Sequence, residues 1–187
     1  MTHLDAHQIP ASEQSRYATA EDVSKLLAGD PNHLYLLTFL LTANHEKAER
    51  CFVAGLDDWA EGNVVFQEWA GAWARRVIVR NAIRIIEPQR GQAQPTETVY
   101  QARGKSSVLE MQVQDVPFAS ILSLKDFERF VYVLSVLERF SDQECTVLLG
   151  ISREEVQETR AQAQKHVLDY ERMVARSTTD PSDAGMS

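Results

Sequence analysis

Four arginines between Trp73 and Ile86 have the type and spacing to do chemistry. Arg75, Arg76, Arg80 and Arg84 put four positive charges on a segment that holds no Asp or Glu. Arg76, Arg80 and Arg84 recur at every fourth residue, so on a helix they lie along one face. A guanidinium is permanently charged and presents a planar fork of donors that fits phosphate oxygens. Ile78, Ala82, Ile85 and Ile86 fall on another face of the same helix and can be buried. The pattern is that of a phosphate-gripping ridge on a packed helix. The alternative is a solvated helix surface that pairs with nearby carboxylates. Trp59, Trp69 and Trp73 could stack on unpaired bases, but the i, i+4 spacing of Trp69 and Trp73 fits a place in the core.

A second constellation lies near the C-terminus. Ser141 is followed three residues on by Glu144, and Ser152 by Glu155; each pair reads as a capping box that starts a helix. Gly150 sits between them, where a left-handed residue commonly ends a helix. A helix over 125–138, one over 142–149 and one from 153 to about 174 then make a helix-turn-helix pattern. Leu134, Leu137, Cys145, Leu148, Leu149, Val156, Ala163 and Val167 can close one trihelical core. The last helix would carry Arg153, Gln157 and Gln162 toward a DNA groove, and glutamine can read adenine edges. The bland alternative is a packing unit with no DNA role. Over 153–165 the charges cancel, with Arg153, Arg160 and Lys165 against Glu154, Glu155 and Glu158. Phosphate repulsion is therefore expected near the start of this helix.

Other chemical signals are thin. His45-Glu46 opens like a zinc-protease motif, but Glu49 stands where the second histidine is needed. His3 and His7 have metal-like spacing with nothing to complete a site. Asp57-Asp58 reads as a solvated helix-end pair. There is no Gly-rich phosphate loop and no nucleophile elbow. Cys51 and Cys145 are far apart, without a CxxC pair, and fall on apolar helix faces, which suits buried structural thiols. No enzyme activity, cofactor or metal is expected.

The elements that must position these residues are helical. Leu26, Leu27, Leu34, Leu37, Leu40 and Leu41 recur at spacings of three, four and seven, which predicts helices over about 20–28 and 32–42, broken at Asp30-Pro31. A third helix covers about 45–60, with Ala48, Cys51, Phe52, Leu56 and Trp59 on its apolar side. A long one follows over about 65–86 and ends at Glu87-Pro88, because proline disfavours helix at the residue before it. Residues 88–116 hold two prolines, two glycines and many Gln, Ser and Thr, and read as a linker. A short helical turn is expected over 118–123.

The chain has 187 residues, 44% hydrophobic and 25% charged, which suits a globular protein and excludes wholesale disorder. It carries 19 Lys+Arg against 27 Asp+Glu, a net charge of −8. A field of that sign opposes polyanions, so any nucleic-acid binding must use a local basic face. No apolar window is long enough for a membrane span. The first fifteen residues lack a basic start and an apolar run, so no secretory signal and a cytoplasmic location are expected. The expected class is all-α: two small helical domains, 20–87 and 117–174, joined by a flexible linker over 88–116, with disordered ends at 1–19 and 175–187.

The stretch LSLKDFERFVYVLSVLERFSDQECTVLLGISREEV resembles the C-terminal helix-turn-helix domain of bacterial RNA polymerase sigma factors. The likeness is to the small two-domain extracytoplasmic-function kind. Leu124, Arg129, Val131, Leu134, Leu137, Glu138, Ser141, Glu144, Leu149, Gly150, Ile151, Ser152 and Val156 fall in register with that pattern. LYLLTFLLTANHEKAE resembles the family's N-terminal domain through Leu34, Tyr35, Leu37, Leu41, Thr42, Ala48 and Glu49. The segment from Trp73 to Ile86 resembles its promoter-reading helix. The resemblance covers roughly residues 21–170. It implies a non-enzymatic transcription initiation protein that binds core RNA polymerase and promoter DNA and can pair with an anti-sigma factor. The ridge would then act at the minus-ten element and the helix-turn-helix at the minus-thirty-five element. Glu49, Arg50 and Val53 would face the polymerase. The chain departs from the pattern at Arg50-Cys51-Phe52-Val53-Ala54, where the family has acidic residues and a Gln-Glu pair. It also departs at Gln157, Thr159, Gln162 and Gln164, usually Lys or Arg, and at Arg160, usually apolar. A degenerate sigma-like module that acts only through protein partners is the competing class.

Overall fold

The computed structural model describes residues 31–60, 69–89 and 116–178. All regular structure among them is helical, as expected for an all-α chain. In chain order the helices are α1 Pro31–Thr42, α2 His45–Ala60, α3 Ala70–Ile86, α4 Val116–Leu122, α5 Asp126–Tyr132, α6 Asp142–Leu149 and α7 Arg153–Thr178. A π-helical segment, Val133–Leu137, continues α5. The helix expected at 20–28, the 65–68 start of the long helix, residues 90–115 of the expected linker, and residues 1–19 and 179–187 of the expected disordered ends lie outside the described residues. Residues 175–178, expected to be disordered, are helical, and Val116, expected in the linker, begins α4.

Local chemistry sets the helix ends. Asn44 opens α2, its side-chain oxygen accepting from the Lys47 amide at 2.9 Å. At the end of α3, Glu87 takes a left-handed conformation (φ 49°) and its amide donates to the Ile83 carbonyl at 2.7 Å. Pro88 then bars continuation. Ser141 and Glu144 form a reciprocal box at the start of α6. The Ser141 hydroxyl accepts from the Glu144 amide at 3.2 Å, and the Glu144 carboxylate accepts from the Ser141 amide at 2.9 Å. Gly150 closes α6 at φ 67°. Ser152 and Glu155 repeat the box at the start of α7, at 3.2 and 2.8 Å.

Two differences from the expected elements have physical causes. Helix α7 runs to Thr178 rather than 174. Val174, Ala175 and Arg176 suit a helix, and the Ser177 hydroxyl donates back to the Met173 carbonyl at 3.0 Å. The helix expected over 125–138 changes to π winding after Tyr132. There the Glu138 amide donates to the Val133 carbonyl at 2.9 Å, five residues back. The wider winding rotates Leu137 off the core face, and it is 39% exposed instead of buried.

Helix α1 is the centre of the packing. It contacts α2 and α3 on one side and α4, α5 and the π segment on the other. Leu34, Leu37, Leu40 and Leu41 share one apolar core with Ile78, Val79 and Ala82 of α3 and Phe127, Phe130, Val131 and Leu134 of the C-terminal half. Each large side chain removed fully from water here, Phe130 and Leu134 among them, contributes about 1.5–3 kcal/mol. Cys145, Val156, Ala163 and Val167 extend the core between α6 and α7, with Leu148 and Leu149 half-buried beside them. On the other side, Gly55 of α2 faces α3: a Cβ there would stand 3.4 Å from Ile78 Cγ1, in ordinary contact. The Cys51 thiol donates to the Ile78 carbonyl at 3.4 Å and ties the same two helices. Asp58 accepts from the buried Asn81 side-chain amide at 3.0 Å, and both members of the acidic pair are exposed. Among the described residues no helix is long and apolar enough to cross a membrane.

Candidate nucleic-acid interface

Helix α3 buries one face and exposes the other, as its sequence requires. Val77, Ile78, Val79, Ala82 and Ile86 are buried, Ile85 is half-buried, and Arg76, Arg80 and Arg84 are exposed. The ridge is divided, however, where the sequence suggested an unbroken stripe. Arg75 Nε lies 3.8 Å from a Glu138 carboxylate oxygen. Arg76 donates to the Glu144 carboxylate and lies over the Phe140 ring, 6.0 Å from its centroid. Both carboxylates come from the C-terminal half of the chain. The guanidinium groups of Arg80 and Arg84 make no ion pair among the described residues. Half of the ridge is therefore matched by the protein's own acids, and the half toward the C-terminus of α3 faces outward.

Glu138 is nearly enclosed. Its side chain is 8% exposed and it also faces His33 Nε2 at 3.6 Å. Glu144 spends its carboxylate twice, accepting from Ser141 at the helix cap and from Arg76. The Ser141 amide and hydroxyl, then Arg76, hold its carboxyl below the ordinary range.

The start of α7 has its own closed network. Asp142, in the first turn of α6, accepts from Gln157 Nε2 at 2.8 Å, from Arg160 Nη1 at 2.7 Å and from Arg153 Nε at 3.5 Å. Those donors, Gln157 and Arg160 foremost, lower the Asp142 pKa. Two of the three side chains expected to reach DNA from this helix, Arg153 and Gln157, are thus engaged from α6, though both remain exposed. The third, Gln162, is exposed one turn further on. Arg160, which stands at an expected apolar position, is half-buried and reaches the same carboxylate.

The residues expected to meet polymerase share one face of α2: Glu49, Arg50 and Val53 are all exposed, Val53 by 49%. The tryptophans divide. Trp69 is 59% exposed, which corrects its expected place in the core: it is the N-cap of α3, and its neighbour Ala70 takes the buried position of that turn. Trp73 is half-buried, and the Trp59 side chain lies outside what is described. Cys51 and Cys145 are both buried, as expected for structural thiols.

Sequence reasoning missed Glu138, Glu144, Asp142 and His33 as parts of these networks. Glu138 and Glu144 were legible only as helix-end and capping residues. Their pairing with Arg75 and Arg76 depends on how the two halves dock, which periodicity does not encode. The opposite charge of Asp142 and Arg160 was available as a signal, since an arginine on an apolar face needs a nearby acid. Compared with known proteins, the chain matches no family model, no curated protein and no solved structure.

Proposed function

We propose that this chain is a divergent sigma-factor-like transcription initiation protein that binds core RNA polymerase and directs it to promoter DNA. One observation carries most of the weight: Arg80 and Arg84 stand outward on a helix whose opposite face is buried in the core. A fixed cationic edge on an anionic molecule suits a local grip on phosphates. The succession α6, left-handed Gly150, α7 supports a helix-turn-helix, with two capping boxes fixing its register. The exposed face of Glu49, Arg50 and Val53 offers a seat for polymerase. An anti-sigma partner fits the same scheme.

A second reading has its own support. Arg75, Arg76, Arg153 and Gln157 already hold carboxylates of the same chain. That pattern favours a sigma-like module that acts through protein contacts without specific DNA binding. Run-off transcription with purified core polymerase on genomic fragments separates the two. Discrete transcripts that need this protein support the first. Stable co-purification with polymerase, with neither transcripts nor salt-dependent DNA binding, supports the second. Arg80→Ala/Arg84→Ala is expected to flatten the salt slope of DNA binding by about one per lost phosphate contact.

A further inference from the structure

We propose that the C-terminal half holds the first part of the arginine ridge in a self-masked state. In that state Glu138 and Glu144 take the places along Arg75 and Arg76 that phosphates would otherwise occupy. The purpose of the mask rests on the reading of the ridge as a nucleic-acid site; the mask itself rests on geometry alone.

Three observations converge on it. First, both carboxylates come from one short stretch, and both meet basic side chains of the N-terminal half, an arginine in each case. Glu138 faces Arg75 and His33, and Glu144 faces Arg76. Phe140, between them in sequence, lies under the Arg76 guanidinium. Second, the backbone is bent to place this stretch. The π segment ends at Glu138, Arg139 adopts φ 56°, and the Phe140 amide donates to the Leu134 carbonyl at 2.9 Å. A non-glycine residue at positive φ persists only where surrounding contacts hold it. Here the held residue lies directly between the two arginine contacts. Third, the division is sharp along α3: the arginines that meet carboxylates are consecutive, and Arg80 and Arg84 lie beyond reach of the clamp.

The clamp neutralises more than it buries. Arg75 and Arg76 side chains keep 41% and 46% exposure. A polyanion could therefore approach, but it would compete with carboxylates already in place. Strong multivalent phosphate binding requires the C-terminal stretch to swing away or to exchange its partners.

The direct test is arginine-selective modification by phenylglyoxal, read residue by residue by mass spectrometry. In the parent, Arg75 and Arg76 should react more slowly than Arg80 and Arg84. In Glu138→Gln/Glu144→Gln the four should react alike. Gln at 144 still completes the capping box, so α6 keeps its start. As a second measurement that needs no variant, rising salt should narrow the difference in the parent, because screening weakens partly exposed ion pairs. Equal reactivity of all four in the parent overturns the mask. So does a difference that survives both the substitutions and high salt.

The second arm measures binding to a mixed-sequence DNA duplex. A control with the same charge change, Glu46→Gln/Asp57→Asn, alters two exposed acids of α2, outside both nucleic-acid helices. The clamp variant should bind about tenfold tighter than this control at low salt, with a salt slope steeper by about two. Equal gains in both variants overturn masking of the ridge. Arg75 and Arg76 becoming reactive with no gain in DNA binding by any variant leaves the mask standing and removes the nucleic-acid reading.

Discussion

The Arg129 guanidinium reaches the backbone carbonyl of Leu41 at 3.4 Å, across 88 residues of sequence. Arg129 is 3% exposed; it also donates to the Leu124 carbonyl at 2.8 Å and to the Asp126 carboxylate. Burial pulls its pKa below the usual arginine value and Asp126 pulls it back, but a guanidinium stays charged in a protein. One side chain thus satisfies the end of α1 and the start of α5 together. Arg129→Met should destabilise by about 3 kcal/mol, since it leaves a buried carbonyl and an acid without their donor. Arg129→Lys should not restore the loss, because one ammonium cannot span three acceptors in a planar fork. Urea unfolding measures both.

Asp142 ties α6 to α7 through Gln157, Arg160 and Arg153. Asp142→Ala should cost about 1–2 kcal/mol, much of it from Arg160 left half-buried without its acceptor. The sign of the pH effect follows from the lowered folded-state pKa values of Asp142 and Glu144. The stability they contribute is complete above the unfolded carboxyl value of about 4 and drains away as pH falls through the lower folded values. Urea midpoints should therefore fall on acidification below that value, and Asp142→Asn should flatten part of the fall.

Burial pushes the Cys51 thiol up to about 12 and the Cys145 thiol up to about 11. Both should stay unlabelled by a thiol reagent near neutral pH and react on unfolding, because the thiolate is the nucleophile. A raised folded pKa gives stability that is whole below the unfolded value of about 9 and is lost as pH climbs through 11 and 12. Alkaline unfolding should begin in that window and start at higher pH in Cys51→Ser/Cys145→Ser than in the parent, with each midpoint compared to its own neutral value.

Gly150 has open space where a Cβ would sit, so a substitution there meets conformational strain alone. Gly150→Ala should cost about 1 kcal/mol at its φ of 67°. Gly150→Asn should cost less, since asparagine tolerates the left-handed region, and Gly150→Val more. Thermal unfolding ranks the three.

The helix ends that carry chemical punctuation were legible in the sequence: Ser141 with Glu144, Ser152 with Glu155, Gly150, and Glu87 before Pro88. So was the amphipathic division of α3, because burying Ile78, Ala82 and Ile86 leaves Arg76, Arg80 and Arg84 outside. Three features were not. The π winding at Val133–Leu137 reads as ordinary helix, since Val-Leu-Ser-Val-Leu suits either winding, and only packing chooses. Trp69 looked like core because i, i+4 spacing with Trp73 does not reveal that Ala70, not Trp69, takes the buried position where α3 begins. The meeting of Arg75 with Glu138 and of Arg76 with Glu144 is set by docking across some 60 residues, which no local pattern records.

Leu41 and Phe130 are both sealed from water in one continuous interior, and this has a mechanical consequence. The front and back of the chain should melt together, as a single calorimetric event. A partner that pries α1 from α5 must bring an oily seat of its own for the side chains it strands, or the separated pieces will cling to one another.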